Sequence, residues 1–175
     1  MKKKLLNLAA LTLLCAAATP AIMADTHANP FLTPYANKYQ IPPFEQIQVS
    51  DFIPAIKAGI EEQKQNMFAI TANRAVPDFD NTILPLENLS PILDRVAGVF
   101  YHYDSALSTD EFAAMAEEAI PLLNEASNQV NLNEQLFQRI QDVYNRRDKL
   151  KLTPVQKRVV EKYYRRFAEQ GAALP

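Results

Sequence analysis

The chain has 175 residues with 20 acidic and 18 basic side chains, a formal net charge of −2, two histidines, one cysteine, twelve prolines and three glycines. This balance argues against nucleic acid or an anionic membrane as the main partner, since neither would be drawn to a surface without excess positive charge. With so few glycines there is no Gly-rich loop, and no repeat of fixed period appears.

Residues 1–24 read as a secretory signal peptide, with Lys2, Lys3 and Lys4 as the positive n-region. Residues 5–18 form an apolar run too short to span a bilayer comfortably. Cleavage after Ala24 places Ile22 where a smaller side chain is usual, and Ala21 and Ala28 are alternative ends. Cys15 follows Leu14, whereas a lipidation signal favours a small residue there, so it reads as an ordinary cysteine of the apolar run. Removing this segment removes three lysines and no acids, taking the net charge from −2 to −5 and leaving no cysteine. An exported chain of about 150 residues without a disulfide must rely on a packed core, and that length suffices for one domain. Once the signal is cleaved, no membrane contact is expected.

Residues 25–48 contain Pro30, Pro34, Pro42 and Pro43 and no sustained helical or strand period, which predicts an extended arm. Phe31, Tyr35, Tyr39, Ile41, Phe44 and Ile47 are too many large apolar residues for a solvated tail. The arm is therefore expected to lie across a helical body.

Residues 49–175 read as that body. A helix capped at or beside Ser50 is predicted to run to about Asn73, with Phe52, Ile56, Ile60, Met67 and Ile70 on one face and Pro54 in the first turn. Gly59 on the apolar side would allow a neighbouring helix to approach. Over 77–107, Phe79, Ile83, Leu86, Leu89, Leu93, Val96, Phe100, Tyr103 and Leu107 recur at steps of three or four, the longest helical stripe in the chain. Asp78 can cap its start, and Pro85 and Pro91 predict a kink or a short segment followed by a longer one. The later helices are expected to pack on this stripe. Ser108 and Glu111 suggest a capping box; Phe112, Met115, Ala119, Leu122, Leu123, Ala126 and Val130 mark the face of a helix that Pro121 should bend. Asn133 can cap a helix presenting Leu136, Phe137, Ile140, Val143 and Tyr144. Thr153, Pro154 and Gln156 spell a full helix start, with Gly171 as a suitable end. The fold class is all-α, an antiparallel multi-helix lobe behind a Pro-rich arm and a signal peptide.

Several short motifs in this order resemble the amino-terminal region of the thimet oligopeptidase and peptidyl-dipeptidase family of zinc metallopeptidases. They are Asn29-Pro30-Phe31, then Pro43, Phe44 and Ile47, then Phe52 with Pro54-Ala55. Phe79 with Asn81-Thr82-Ile83, Leu86-Glu87, and Leu93 to Val96 with Phe100 come next, then Asn133 with Leu136-Phe137, and Gly171-Ala172 with Leu174. The resemblance implies an ellipsoid of helices divided by a deep channel, in which this lobe limits entry to short peptides. It also implies a zinc site much further along the chain. On that basis the chain is a truncated, amino-terminal piece of an exported, periplasmic or extracellular peptidase, with the signal peptide favouring the peptidyl-dipeptidase type.

Chemistry is sparse in the chain itself. A zinc peptidase of this kind uses H-E-x-x-H, two imidazoles one helical turn apart with a glutamate to activate the bound water. Here there are only His27 and His102, and no such motif. Glu61-Glu62 and Glu117-Glu118 are adjacent pairs, whose side chains diverge by about 100° on a helix. Ser105 and Ser108 have no identifiable base. Lys157, Arg158, Lys162, Arg165 and Arg166 read as a basic outer face opposite aromatics. No catalytic, cofactor-binding or metal-ligating residue is assigned; zinc is expected in the full-length family and not on this chain, and short peptides are the expected partners through a catalytic lobe. The competing reading is a stand-alone exported helical module that binds a peptide or protein without catalysis.

Overall fold

The computed structural model describes residues 27–106 and 109–170. The expected signal peptide falls outside them, as do Leu107, Ser108 and Gly171. Among the described residues there are helices and no strand.

Helix α1, Val49–Thr71, is about 34 Å long at a rise of 1.5 Å per residue. Its cap, Gln48, stands two residues before the expected one, because the Asp51 carboxylate accepts the Gln48 N–H at 2.8 Å. The shift puts Pro54 inside the helix and not in its first turn. The carbonyl that Pro54 cannot serve is that of Ser50, and both residues are exposed, so water can take the missing donor's place. Before α1, residues 27–48 hold two short 3-10 turns, Pro30–Leu32 and Phe44–Gln46. Phe31 is fully buried there, 5.0 Å from the Phe52 ring, and its carbonyl accepts Arg95 Nε–H at 2.9 Å.

The long stripe divides in two. Asp78 caps as expected, accepting the Asn81 N–H at 2.8 Å, but it opens a π turn, Phe79–Ile83, and then a single helical turn α2, Leu84–Leu86. The main helix, α3, Pro91–Ala106, starts afresh. Pro91 thus sits in a first turn, where no intrahelical donor is lost, while Pro85 falls just after the π turn. Ser90 caps α3 by accepting the Leu93 N–H, and Glu62 of α1 accepts the Ile92 N–H at 2.9 Å. Helix α4, Asp110–Asn131, is capped by Thr109 in place of the expected Ser108 and runs on through Pro121. Again the proline and the residue whose carbonyl it leaves unserved, Glu117, are exposed. Asn133 caps α5, Glu134–Arg146, and the reciprocal Thr153–Gln156 bonds open α6, Pro154–Glu169.

Two apolar clusters result. The first joins Phe31, Phe52 and Ile56 to Leu93, Val96 and Phe100 of α3 and to Phe112, Ala119 and Leu123 of α4. Its aromatic centre sets Phe52 edge-on to Phe112 at 5.6 Å, and each such buried ring contributes roughly 1.5–3 kcal/mol. The second joins Ile70 at the end of α1 to Ile83, Leu86 and Leu89, to Val130, and to the inner faces of α5 and α6. The stripe expected to form one helical face therefore feeds both clusters, and the unbroken helices α1 and α4 are the elements that run through both.

Two contacts fix this arrangement. At Gly59 an added Cβ would stand 2.8 Å from both the Leu93 backbone nitrogen and its Cγ, while the Gly59 carbonyl accepts the Ser90 hydroxyl at 2.8 Å. In the second cluster Arg139 is 9% exposed and reaches back across the Asn73–Thr82 link. It donates to Asn73 O at 2.6 Å, Asn81 Oδ1 at 2.9 Å and Thr82 Oγ1 at 3.2 Å. Burial pulls its pKa below the ordinary arginine value, against the opposing charges of Asp78 and Asp142.

Gly59→Ala is expected to destabilise by about 1–3 kcal/mol, because the clash is with backbone. Gly98→Ala, on an exposed part of α3 with nothing within 4 Å, should instead stabilise by up to about 1 kcal/mol through helix propensity. Thermal melts of the two variants should therefore move in opposite directions. Arg139→Met is expected to lose about 1–3 kcal/mol in urea denaturation, since it removes three hydrogen bonds made by one charged side chain.

Candidate functional site

The residues weighed from the sequence do not converge. The His27 ring donates to the Asp51 carboxylate at 2.9 Å; that carboxylate is almost wholly buried, and the Asn29 side chain holds the Asp51 carbonyl at 2.8 Å. His27 and Asn29 thereby clamp the segment before α1 to the start of that helix. His102 is exposed on α3, where the Ser105 hydroxyl donates to its backbone carbonyl, so Ser105 is paired with a peptide group and not with a base. Glu61 pairs with Lys64 and Glu118 with Lys57, at 2.8 and 3.0 Å, both in solvent. Glu62, the neighbour of Glu61, turns the other way to cap α3. On α6, Arg158, Lys162, Arg165 and Arg166 are exposed, while Tyr164 stacks on Tyr144 at 3.9 Å, with the Arg147 guanidinium 4.1 Å from the Tyr144 ring centre.

A cleft of about 360 Å³ lies where α1, α3, α4 and α6 meet, at the seam between the two clusters. Leu93 and Leu123 line it from the first cluster; Leu86, Val130 and Phe167 line it from the second. Its polar side chains include Gln63, Glu87, Asp94, Tyr163 and Arg166. Burial and a hydrogen bond to Glu87 raise the Tyr163 pKa well above the ordinary phenol value, so its hydroxyl stays protonated and serves as a donor to that carboxylate. Asp94 is exposed, and partial desolvation with the negative charge of Glu62 raises its carboxyl while Arg95 opposes this. Gln63 is 9% exposed, and its side-chain oxygen has no hydrogen-bond partner. Of these polar residues only Arg166 has a reading from the sequence, as part of a basic outer face, and it also lines the cleft. Glu87 and Asp94 lie inside stretches read as helix, and only the packing of four helices brings them to Gln63.

The zinc implied by the resemblance does not fit these residues. Among the described residues no three His, Cys, Asp or Glu side chains are grouped so as to hold a metal ion, and His27 already faces a buried carboxylate. No step of metal chemistry is derived for this chain.

Comparison with known proteins gives a consistent relation. The profile of the neurolysin/thimet oligopeptidase N-terminal domain matches residues 56–175. Dipeptidyl carboxypeptidase of Escherichia coli strain K12 is 37% identical over 149 residues, covering 85% of this chain and 22% of that protein. The Salmonella typhimurium protein of the same name is 34% identical, over 83% of this chain and 22% of its own length. Oligopeptidase A of E. coli is 28% identical, over 84% and 21% respectively. The chain thus spans about a fifth of the length of the curated relatives it matches. It belongs to the neurolysin/thimet oligopeptidase family, and the region that it represents is that family's amino-terminal domain.

Proposed function

We propose that this chain is the amino-terminal lobe of an exported zinc metallopeptidase of the peptidyl-dipeptidase type, one that hydrolyses short peptides in the periplasm or outside the cell. The observation that carries this reading is the 37% identity with a dipeptidyl carboxypeptidase across most of the chain, against 28% with an oligopeptidase A. The lobe contributes shape. Its two packed clusters give a firm helical wall that limits substrate access, while hydrolysis belongs to a catalytic lobe carrying the H-E-x-x-H that this sequence lacks. Export is supported by the three lysines ahead of an apolar run and by the lack of any cysteine after residue 15.

A chimera in which residues 29–175 replace the matching region of the E. coli dipeptidyl carboxypeptidase should still release dipeptides from the carboxyl end of oligopeptides. The 175-residue chain alone should leave the same peptides intact, with or without added zinc. Chelator-sensitive cleavage by the chain alone would overturn the assignment of hydrolysis to another lobe. A folded but inactive chimera would favour the non-catalytic binding module instead. Fractionation of cells expressing the chain should place the processed form outside the cytoplasm.

A further inference from the structure

We propose that the outer faces of α4 and α6 are complementary docking surfaces through which one copy of this chain binds another, the basic face of α6 on one copy seated on the acidic face of α4 on the next. Charge is unevenly distributed along the chain. Residues 146–170 carry nine lysine and arginine side chains against three acids, whereas residues 27–145 carry six against sixteen. A small net charge thus hides a strongly polarised molecule.

On α6, Lys162, Arg165 and Arg166 follow Arg158 at four, seven and eight residues, so the four cations share one face, and all are exposed. The nearby acids are mostly committed elsewhere: Asp148 holds Lys157 at 2.9 Å and Glu161 faces Arg147 at 3.6 Å, which leaves Glu169 at the helix end. Among the described residues no carboxylate oxygen lies within 4.0 Å of any of the four cations.

Helix α4 is the counterpart. Its 22 residues include five acids and no lysine or arginine. Asp110 and Glu117 stand two turns apart on its exposed side, with Glu111 beside them, and among the described residues no cation pairs with any of the three. Ala113 and Ala114, also exposed, leave the backbone between them open to close approach. Seven residues separate Arg158 from Arg165 just as they separate Asp110 from Glu117, a step of about 10.5 Å in either helix, so two helices laid side by side match two charge pairs in register. Each face also carries an exposed large apolar side chain, Val155 on α6 and Ile120 on α4.

The occupant follows from charge on both sides. A nucleic acid or an anionic membrane would be drawn to four cations and repelled by the acids that dominate the rest of the chain. A second copy supplies an acidic helix whose spacing fits. Because the two faces differ, the contact is heterologous, and association continues past a dimer unless a ring closes. A single helix-on-helix contact buries less than the roughly 1,000 Å² of a stable interface, so it is weak, with a Kd on the order of 100 μM.

The test is sedimentation equilibrium of the 175-residue chain. With protein at a few times that Kd and about 20 mM salt, the weight-average mass should rise at least about 1.5-fold above the 19.7 kDa monomer; at about 300 mM salt it should return to the monomer, since the Debye length falls from roughly 20 Å to roughly 6 Å. Arg158→Glu with Arg165→Glu, and Asp110→Asn with Glu117→Lys, should each leave a monomer at low salt. The two variants mixed should associate again, because each keeps the face that the other has lost. Lys38→Glu with Arg74→Glu changes the net charge as much as the α6 pair does, on exposed residues outside both helices, and should leave association unchanged. All these positions are exposed, so melting temperatures should stay within about 4 °C of the parent chain. A chain that stays monomeric at low salt overturns the proposal, as does association that high salt strengthens, which would mark apolar contact. So does association that survives either pair of reversals, a mixture that stays monomeric, or loss in the Lys38 and Arg74 variant, which would mark an effect of net charge alone.

Discussion

The crossing of α1 and α3 at Gly59 sets the geometry of everything else. With no side chain at that position the two backbones come close enough for the Gly59 carbonyl to accept the Ser90 hydroxyl and for Leu93 to lie directly on the helix. The same few residues then cap α3. Ser90 accepts from Leu93, and one turn further along α1 Glu62 accepts from Ile92, so the start of one helix is satisfied by the side of another. A larger residue at 59 would push α3 outward and separate the donors from both acceptors. Close packing and helix capping are here a single constraint.

That constraint explains how one helix serves two clusters. Before the crossing, α1 gives Phe52, Ala55 and Ile56 to the first; beyond it, Ile70 belongs to the second. Residues 87–90 pass α1 at the boundary, with Asn66 holding the Leu89 carbonyl. The two clusters are tied at their far ends by long-range polar contacts, His27 on Asp51 in one and Arg139 on the 73–82 link in the other. Each replaces water around a buried polar group with a partner distant in sequence, and so selects one packing among the many that apolar contact alone would allow.

What could be read from the sequence was whatever nearest neighbours decide. Asp78, Asn133 and Thr153 cap where expected, since each needs only an N–H two or three residues ahead. Gly59 was legible as a point of close approach because an apolar helix face rarely carries a glycine without cause. The start of α1 was misplaced because Asp51 answers to Gln48 and to His27, 24 residues away, a partner that no local pattern reveals. Periodicity also could not distinguish one long apolar face from two shorter ones. The π turn changes the register after Phe79, and the two prolines mark possible breaks without saying which cluster each half will join. Arg139 was invisible for a related reason: a charged residue within an apolar face is buried only where acceptors from other segments meet it.

The cleft was the least legible feature, and its position derives from the same geometry. A seam between two clusters is where apolar packing is least complete, so polar side chains there lose less of their hydration than they would inside either cluster. Gln63 sits one turn beyond Gly59 on α1, Asp94 one turn into α3, and Tyr163 with Arg166 one turn apart on α6, so the crossing that fixes α1 against α3 also fixes the mouth of the cleft. Its polar residues need not have been selected as a motif in sequence; they need only lie at helix positions that face the seam. Even so, the seam is not where unsatisfied groups gather: among the described residues the buried side-chain atoms without a partner are those of Tyr35, Gln63, Asn131 and Arg139, and only Gln63 lines the cleft.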